Sequence, residues 1–229
     1  MGTTCWTRLF AALLLAWALA FAPGCDAAVA EDIELTLTDM RSAADRQDGE
    51  AFVNLLAPES FDYYERVRKL ALDASYARID ALTITEKLDI LVMRNRCTRK
   101  QLEPLDGRGW VVYAIGEGWY DGPRFDEESV HERNVTVRGT TATLEVVYKA
   151  RQAHFTGEGS GQRVSDTFTF LQVEDRWLAD WRGQSALFER LVNLTRDETH
   201  KSVNQILEGV ESKVSLKPVD KSIWETPMR

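Results

Sequence analysis

The spacing of apolar residues switches near Val130 from a helical period to strict alternation, and returns to the helical period after Trp181. Upstream, Ile33, Leu37, Met40 and Ala44 recur at steps of four, three and four, one stripe of an amphipathic helix over residues 32–47. Downstream, Ala142, Leu144, Val146 and Tyr148 alternate with Thr143, Glu145, Val147 and Lys149, as in a strand with one buried face. Helices followed by an antiparallel meander define an α+β fold, with N-terminal helices packed on the sheet and an extra C-terminal helix.

Local signals place the elements. Asp48-Gly49 breaks the first helix, and "EAFVNLL" forms a short second one before Pro58. A third begins near Glu59 and carries Phe61, Tyr64, Val67, Ala71 and Ala74 on one side. Thr83-Ile84-Thr85-Glu86 is a capping box that opens a helix with Leu88, Leu91 and Val92. A second capping box, Thr98 to Gln101, starts a short helix that Pro104 stops. Residues 110–119, "WVVYAIGEGW", leave helix and strand open: β-branched residues favour a strand, whereas Leu105-Asp106-Gly107 resembles a helix start and tips the reading to helix.

"VHERNVTV" and the strand after Arg138-Gly139-Thr140 pair as a hairpin. A further strand, Val164 to Val173, carries Phe168 and Phe170 on one face. Glu174-Asp175 then turns the chain into "RWLADW". Leu187, Leu191 and Leu194, then Val203, Ile206, Leu207 and Val210, return to helix, and "KPVDKSIWETPMR" reads as a loose terminus.

The first residues carry an address. Arg8 precedes the 13 uncharged apolar residues Leu9 to Phe21, too short to span a bilayer and suited to the apolar core of a signal peptide. Residues 1–24 therefore read as an export signal and 25–31 as a tether. Ala22-Pro23-Gly24-Cys25 resembles a bacterial lipobox through Gly24 and Cys25, while Ala22 and Pro23 depart from the pattern. That resemblance implies a lipidated Cys25 and attachment to the membrane through the lipid. Asp26, directly after it, resembles the signal that retains lipoproteins at the periplasmic face of the inner membrane. The rival is cleavage after Ala28-Val29-Ala30, which would give a soluble periplasmic or secreted protein.

With 28 basic and 36 acidic residues, the net charge of −8 argues against a nucleic-acid partner. Cys5 lies in the signal and Cys25 would carry lipid, so Cys97 has no internal disulfide partner.

"AADRQDGEAFVNLLAPES" resembles the opening helix pair of nuclear transport factor 2-like domains, and "VRGTTATLEVVYK" and "FTFLQVEDRWLADWR" resemble the last strands of that superfamily. The resemblance covers roughly residues 32–190 and sets a domain at 32–196, with a C-terminal helix and tail at 197–229. It implies a bent sheet wrapping a long helix into a cone with a pocket at the open end. Enzymes, ligand carriers and structural modules all use that shape, so the family does not name a function.

Candidate chemistry is sparse. "GEGSG", residues 157–161, connects strands rather than opening a helix, so it reads as a hairpin loop and not a dinucleotide fingerprint. His131, His154 and His200 lack ligand spacing, and neither metal nor cofactor is expected. The best acid/base pair is His131 with Asp166, helped by His154 and Tyr148; the alternative puts His131 at a strand start and Asp166 on the solvent face. Arg94, Arg96, Arg99 and Lys100 surround Cys97 at a helix end, as an anion or lipid-headgroup patch, a thiol activated by cations, or a solvated helix end. Trp177 and Trp181 read as core.

These features together suggest an exported, lipid-anchored cell-envelope protein: a non-catalytic module for a small ligand or an envelope protein. A homodimer stays open. The alternative is a small pocket enzyme of the dehydratase, isomerase or cyclase type, built on the His131/Asp166 pair.

Overall fold

The computed structural model describes residues 24–120, 130–148, 164–182, 186–225 and 228. Among them are nine α-helices, a 3-10 turn and one four-stranded antiparallel sheet. The helices are α1 (Gly24–Asp45), α2 (Gly49–Val53), α3 (Pro58–Asp73), α4 (Tyr76–Asp80), α5 (Ile84–Arg96), α6 (Arg99–Leu102), α7 (Gly107–Gly116), α8 (Ala186–Thr199) and α9 (Val203–Ser215). The strands β1 (Val130–Arg138), β2 (Thr141–Tyr148), β3 (Val164–Val173) and β4 (Arg176–Ala179) pair in sequence order. The class is α+β.

The local signals act as their chemistry requires. The Thr83 hydroxyl accepts from Glu86 N while the Glu86 carboxylate accepts from Thr83 N at 2.9 Å, and Thr98 and Gln101 repeat the box at α6. Asp48 caps α2 by accepting from Ala51 N, and Asp106 caps α7 by accepting from Gly109 N. Residues 107–116 are helical because that cap and tertiary contact outweigh the β-branched preference of "WVVYAI". Gly107 is required there: a Cβ would stand 2.1 Å from Phe61 O, so only glycine lets α7 start against the backbone of α3.

The sheet register follows the alternation. Ala142 faces Phe170, Leu144 faces Phe168 and Val146 faces Asp166, all on the inner face. Gly139, at φ 62°, makes the β1–β2 turn. The β4 strand lies against α1, where the Thr36 hydroxyl donates to Trp177 O at 3.0 Å and the Trp177 side chain is buried. Residues 55–57 form a short parallel contact with β4 through Ala57 N to Ala179 O and Ala179 N to Leu55 O.

Two expectations are corrected, the tether and the loose C-terminus. Residues 25–31 are the first turns of α1 rather than a tether, because "CDAAVAED" is alanine-rich and Val29 packs against the core. In α8, Val192 is buried and Phe188 packs against the core, whereas Leu191 and Leu194 are exposed. The C-terminal segment is docked, not loose: Trp224 is buried, its Nε1 donates to Glu208 at 2.7 Å, and Met228 N donates to Leu72 O. Residues 1–23 of the expected export signal, His154 and the expected loop at 157–161 lie outside the described residues, as do the side chains of Cys25 and Asp26.

Candidate functional site: a cavity closed by Asp89

A cavity of about 360 Å³ opens between the helices and the inner face of the sheet. Leu37 of α1, Tyr64 of α3 and Leu88 of α5 form the helical wall. Phe168 and Phe170 of β3, Trp181 after β4 and Phe188 of α8 form the other. The alternation of β3 puts both phenylalanines on this face, and the period of α5 puts Thr85, Leu88 and Asp89 on one side.

Three contacts hold the walls in place. Ser60, fully buried at the start of α3, accepts from Trp181 N at 2.8 Å, which fixes the chain leaving β4. Phe52 meets the Trp181 ring edge-on at 6.3 Å. The Thr85 hydroxyl donates to Glu189 across the α5–α8 gap.

Asp89 is the polar centre. It is 5% exposed, and both of its oxygens accept from phenols: Tyr63 donates to Oδ2 at 2.8 Å and Tyr120 to Oδ1 at 3.1 Å. Burial pushes its pKa up to about 6, the nearby Glu86 charge adds to the rise, and the two phenolic hydrogen bonds oppose it. Burial and the facing carboxylate also hold Tyr63 and Tyr120 well above the ordinary phenol range, so both stay protonated donors. Near the rim, Arg182 grips Asp180 with Nε at 2.6 Å and with a second guanidinium nitrogen.

Asp166 lines this cavity and its Oδ1 accepts from Thr167 N at 3.0 Å, so it faces inward and not to solvent. His131 does not join it. It sits on β1 where the register shifts between Val130 and Glu132, and its side chain is exposed. Tyr148 packs against the core outside the cavity wall, and His200 is exposed beyond α8. The acid/base pair expected from sequence is therefore not assembled. Among the described residues, no group of three His, Cys, Asp or Glu gathers as a metal site.

The cationic patch is also corrected. Arg94 points inward and donates to Ala71 O at 2.8 Å, Ala74 O at 2.7 Å and Ile223 O at 2.8 Å. Arg96 makes two 2.7–2.8 Å bonds to Glu211 and lies over the Trp119 ring. Arg99 binds Asp73 and the carbonyls of Leu72 and Met228. The last carbonyls of α3 have no helical partner, and these guanidiniums and the tail supply one. Only Lys100 of the four is exposed. Burial pushes the Cys97 thiol up to about 11 against the opposing charge of Arg96, the reverse of a thiol activated by cations.

Asp89, Tyr63 and Tyr120 escape a motif search because they lie on separate elements. One signal marks Asp89 in the sequence: it is a carboxylate inside the apolar run "LDILVM", at a position whose helical neighbours are buried.

Compared with protein-family models, curated proteins and solved structures, the chain matches none.

Proposed function

We propose that this protein is a non-catalytic binding module that holds a small, mainly apolar molecule in the Asp89 cavity. The observation that carries the reading is the cavity itself: a preformed space of about 360 Å³, within the range of small-molecule sites, walled by aromatic and aliphatic side chains with one buried carboxylate. A helix-walled cavity against the inner face of a meander supports assignment to the nuclear transport factor 2-like domains. Export and lipidation at Cys25 rest on the sequence before α1. The helical run from Gly24 then joins any lipid to the domain without a flexible spacer, at the inner-membrane periplasmic face that Asp26 favours.

The test is uptake of the neutral fluorescent probe N-phenyl-1-naphthylamine by the full chain. Saturable uptake is expected, with Leu88→Trp weakening it at least tenfold while circular dichroism stays native. Uptake unchanged by Leu88→Trp would place the probe elsewhere and refute the assignment. For the anchor, Cys25→Ala should move the protein out of the membrane fraction of its host.

A second reading has its own support. A carboxyl group with a pKa of about 6 in an apolar pocket can exchange a proton near neutral pH, as an isomerase or dehydratase requires. In that reading Asp89 replaces His131 and Asp166 as the proton carrier.

A further inference from the structure

We infer that the ligand of this cavity is a cationic amine, with its protonated nitrogen at Asp89 and its apolar body along Phe168, Phe170 and Trp181. The inference rests on the reading of the cavity as a ligand site. Its argument is the bonding capacity left at the closed end. Each phenol has one proton, and Tyr63 and Tyr120 both spend it on Asp89, so the hydroxyl oxygen of Tyr120, a residue that lines the cavity, can only accept. Each Asp89 oxygen accepts one phenolic bond and keeps further lone-pair directions.

Two further polar groups of the wall, Thr85 and Arg182, do not reverse this bias. The Thr85 hydroxyl donates to Glu189, and the Arg182 guanidinium grips Asp180 with two of its nitrogens. No Lys or Arg among the described residues bonds to Asp89, and the neighbouring charge that acts on it, Glu86, is itself acidic. A ligand that seals the cavity from water must therefore bring donors to Asp89, and positive charge to compensate a carboxylate held in an apolar site. The aromatic walls favour the same ligand, because ring faces attract a cation and its polarised CH groups. A ligand carboxylate or phosphate would meet like charge and acceptors.

The experiment displaces N-phenyl-1-naphthylamine from the full chain at pH 7.5 with two molecules of one carbon skeleton, 4-phenylbutylamine and 4-phenylbutanol. The amine is expected to bind at least tenfold more tightly. Asp89→Asn, checked for a native circular dichroism spectrum, should reduce that preference below threefold. Equal or tighter binding of the alcohol to the wild-type chain overturns the amine assignment and leaves the cavity as a ligand site. A preference that survives Asp89→Asn overturns the role of Asp89. Failure of the probe to bind at all refutes the cavity reading, and the amine assignment with it.

Discussion

The middle and the C-terminal end of α5 bury charge in opposite ways. In the middle, Asp89 is anionic and held only by neutral phenols, beside an open cavity. At the C-terminal end, Arg94 and Arg96 are as well buried but saturated: Arg94 by backbone carbonyls of α3 and the tail, Arg96 by the Glu211 carboxylate. The difference separates structural charge from charge in reserve. A guanidinium carries five donors in a fixed fork, so it can satisfy several orphan carbonyls at once and finish a helix end. A carboxylate between two phenols is hydrogen-bonded yet uncompensated, which costs stability and leaves capacity for a ligand.

The largest test of this contrast is at the saturated end. Glu211→Ala leaves Arg96 buried without its carboxylate, and the expected loss is about 3–5 kcal/mol in denaturant melts. A loss below about 1 kcal/mol would mean that Arg96 finds water or another acceptor, and that this end is less closed than the geometry indicates.

Arg94→Met comes next. It removes the donor of Ala71 O, Ala74 O and Ile223 O, and should cost about 2–3 kcal/mol. Because Ile223 belongs to the docked tail, limited proteolysis should also cut sooner near residues 217–220. Wild-type resistance in the variant would detach the tail from Arg94.

Asp89→Asn should act with the opposite sign and depend on pH. The folded pKa of about 6 lies above the ordinary value of 3.8, so the folded protein holds its proton over a range in which the unfolded chain has lost it. Stability attributable to Asp89 is therefore greatest below about pH 4 and falls as pH rises to about 6, by about 2–3 kcal/mol, staying low above that. Melts of wild type and Asp89→Asn at pH 4 and pH 7.5 isolate this group, since other titrations cancel in the difference. The variant should gain on wild type by that amount at the higher pH. A gap independent of pH would show that the two phenols compensate the charge fully.

The smallest effect belongs to the exposed remnant of the cationic cluster. Lys100→Ala should change stability by less than about 0.5 kcal/mol, and should leave binding to anionic vesicles unchanged. A clear drop in vesicle binding would restore a headgroup role to that surface.

Much of the fold was legible in local chemistry. The capping boxes at Thr83 and Thr98, the Gly139 turn and the alternation of β2 and β3 depend on neighbours in sequence, so spacing alone reveals them. The same reasoning stopped at the ends of the chain. The docking of Trp224 and the helical start of α1 depend on partners far away, on α9 and in the core.

The site was less legible than the fold. Asp166 was named from sequence as an acid/base candidate with the solvent face as the alternative, and it does line the cavity, but its expected partner was chosen by residue type. A bulge removes His131 from that face, and no spacing rule signals which side a bulged residue takes.

The sequence by itself determined where most helices and strands form and which strand faces are apolar. These follow from the period of the chain and the bonding needs of its ends. Only the tertiary structure decided what the charges do. Folding brings Tyr63, Tyr120 and Asp89 together from three segments around a cavity, and turns Arg94, Arg96 and Arg99 inward onto carbonyls and carboxylates. The physical reason is that a buried charge takes its state from the groups its neighbours leave unsatisfied, and those neighbours are set by packing rather than by adjacency in sequence.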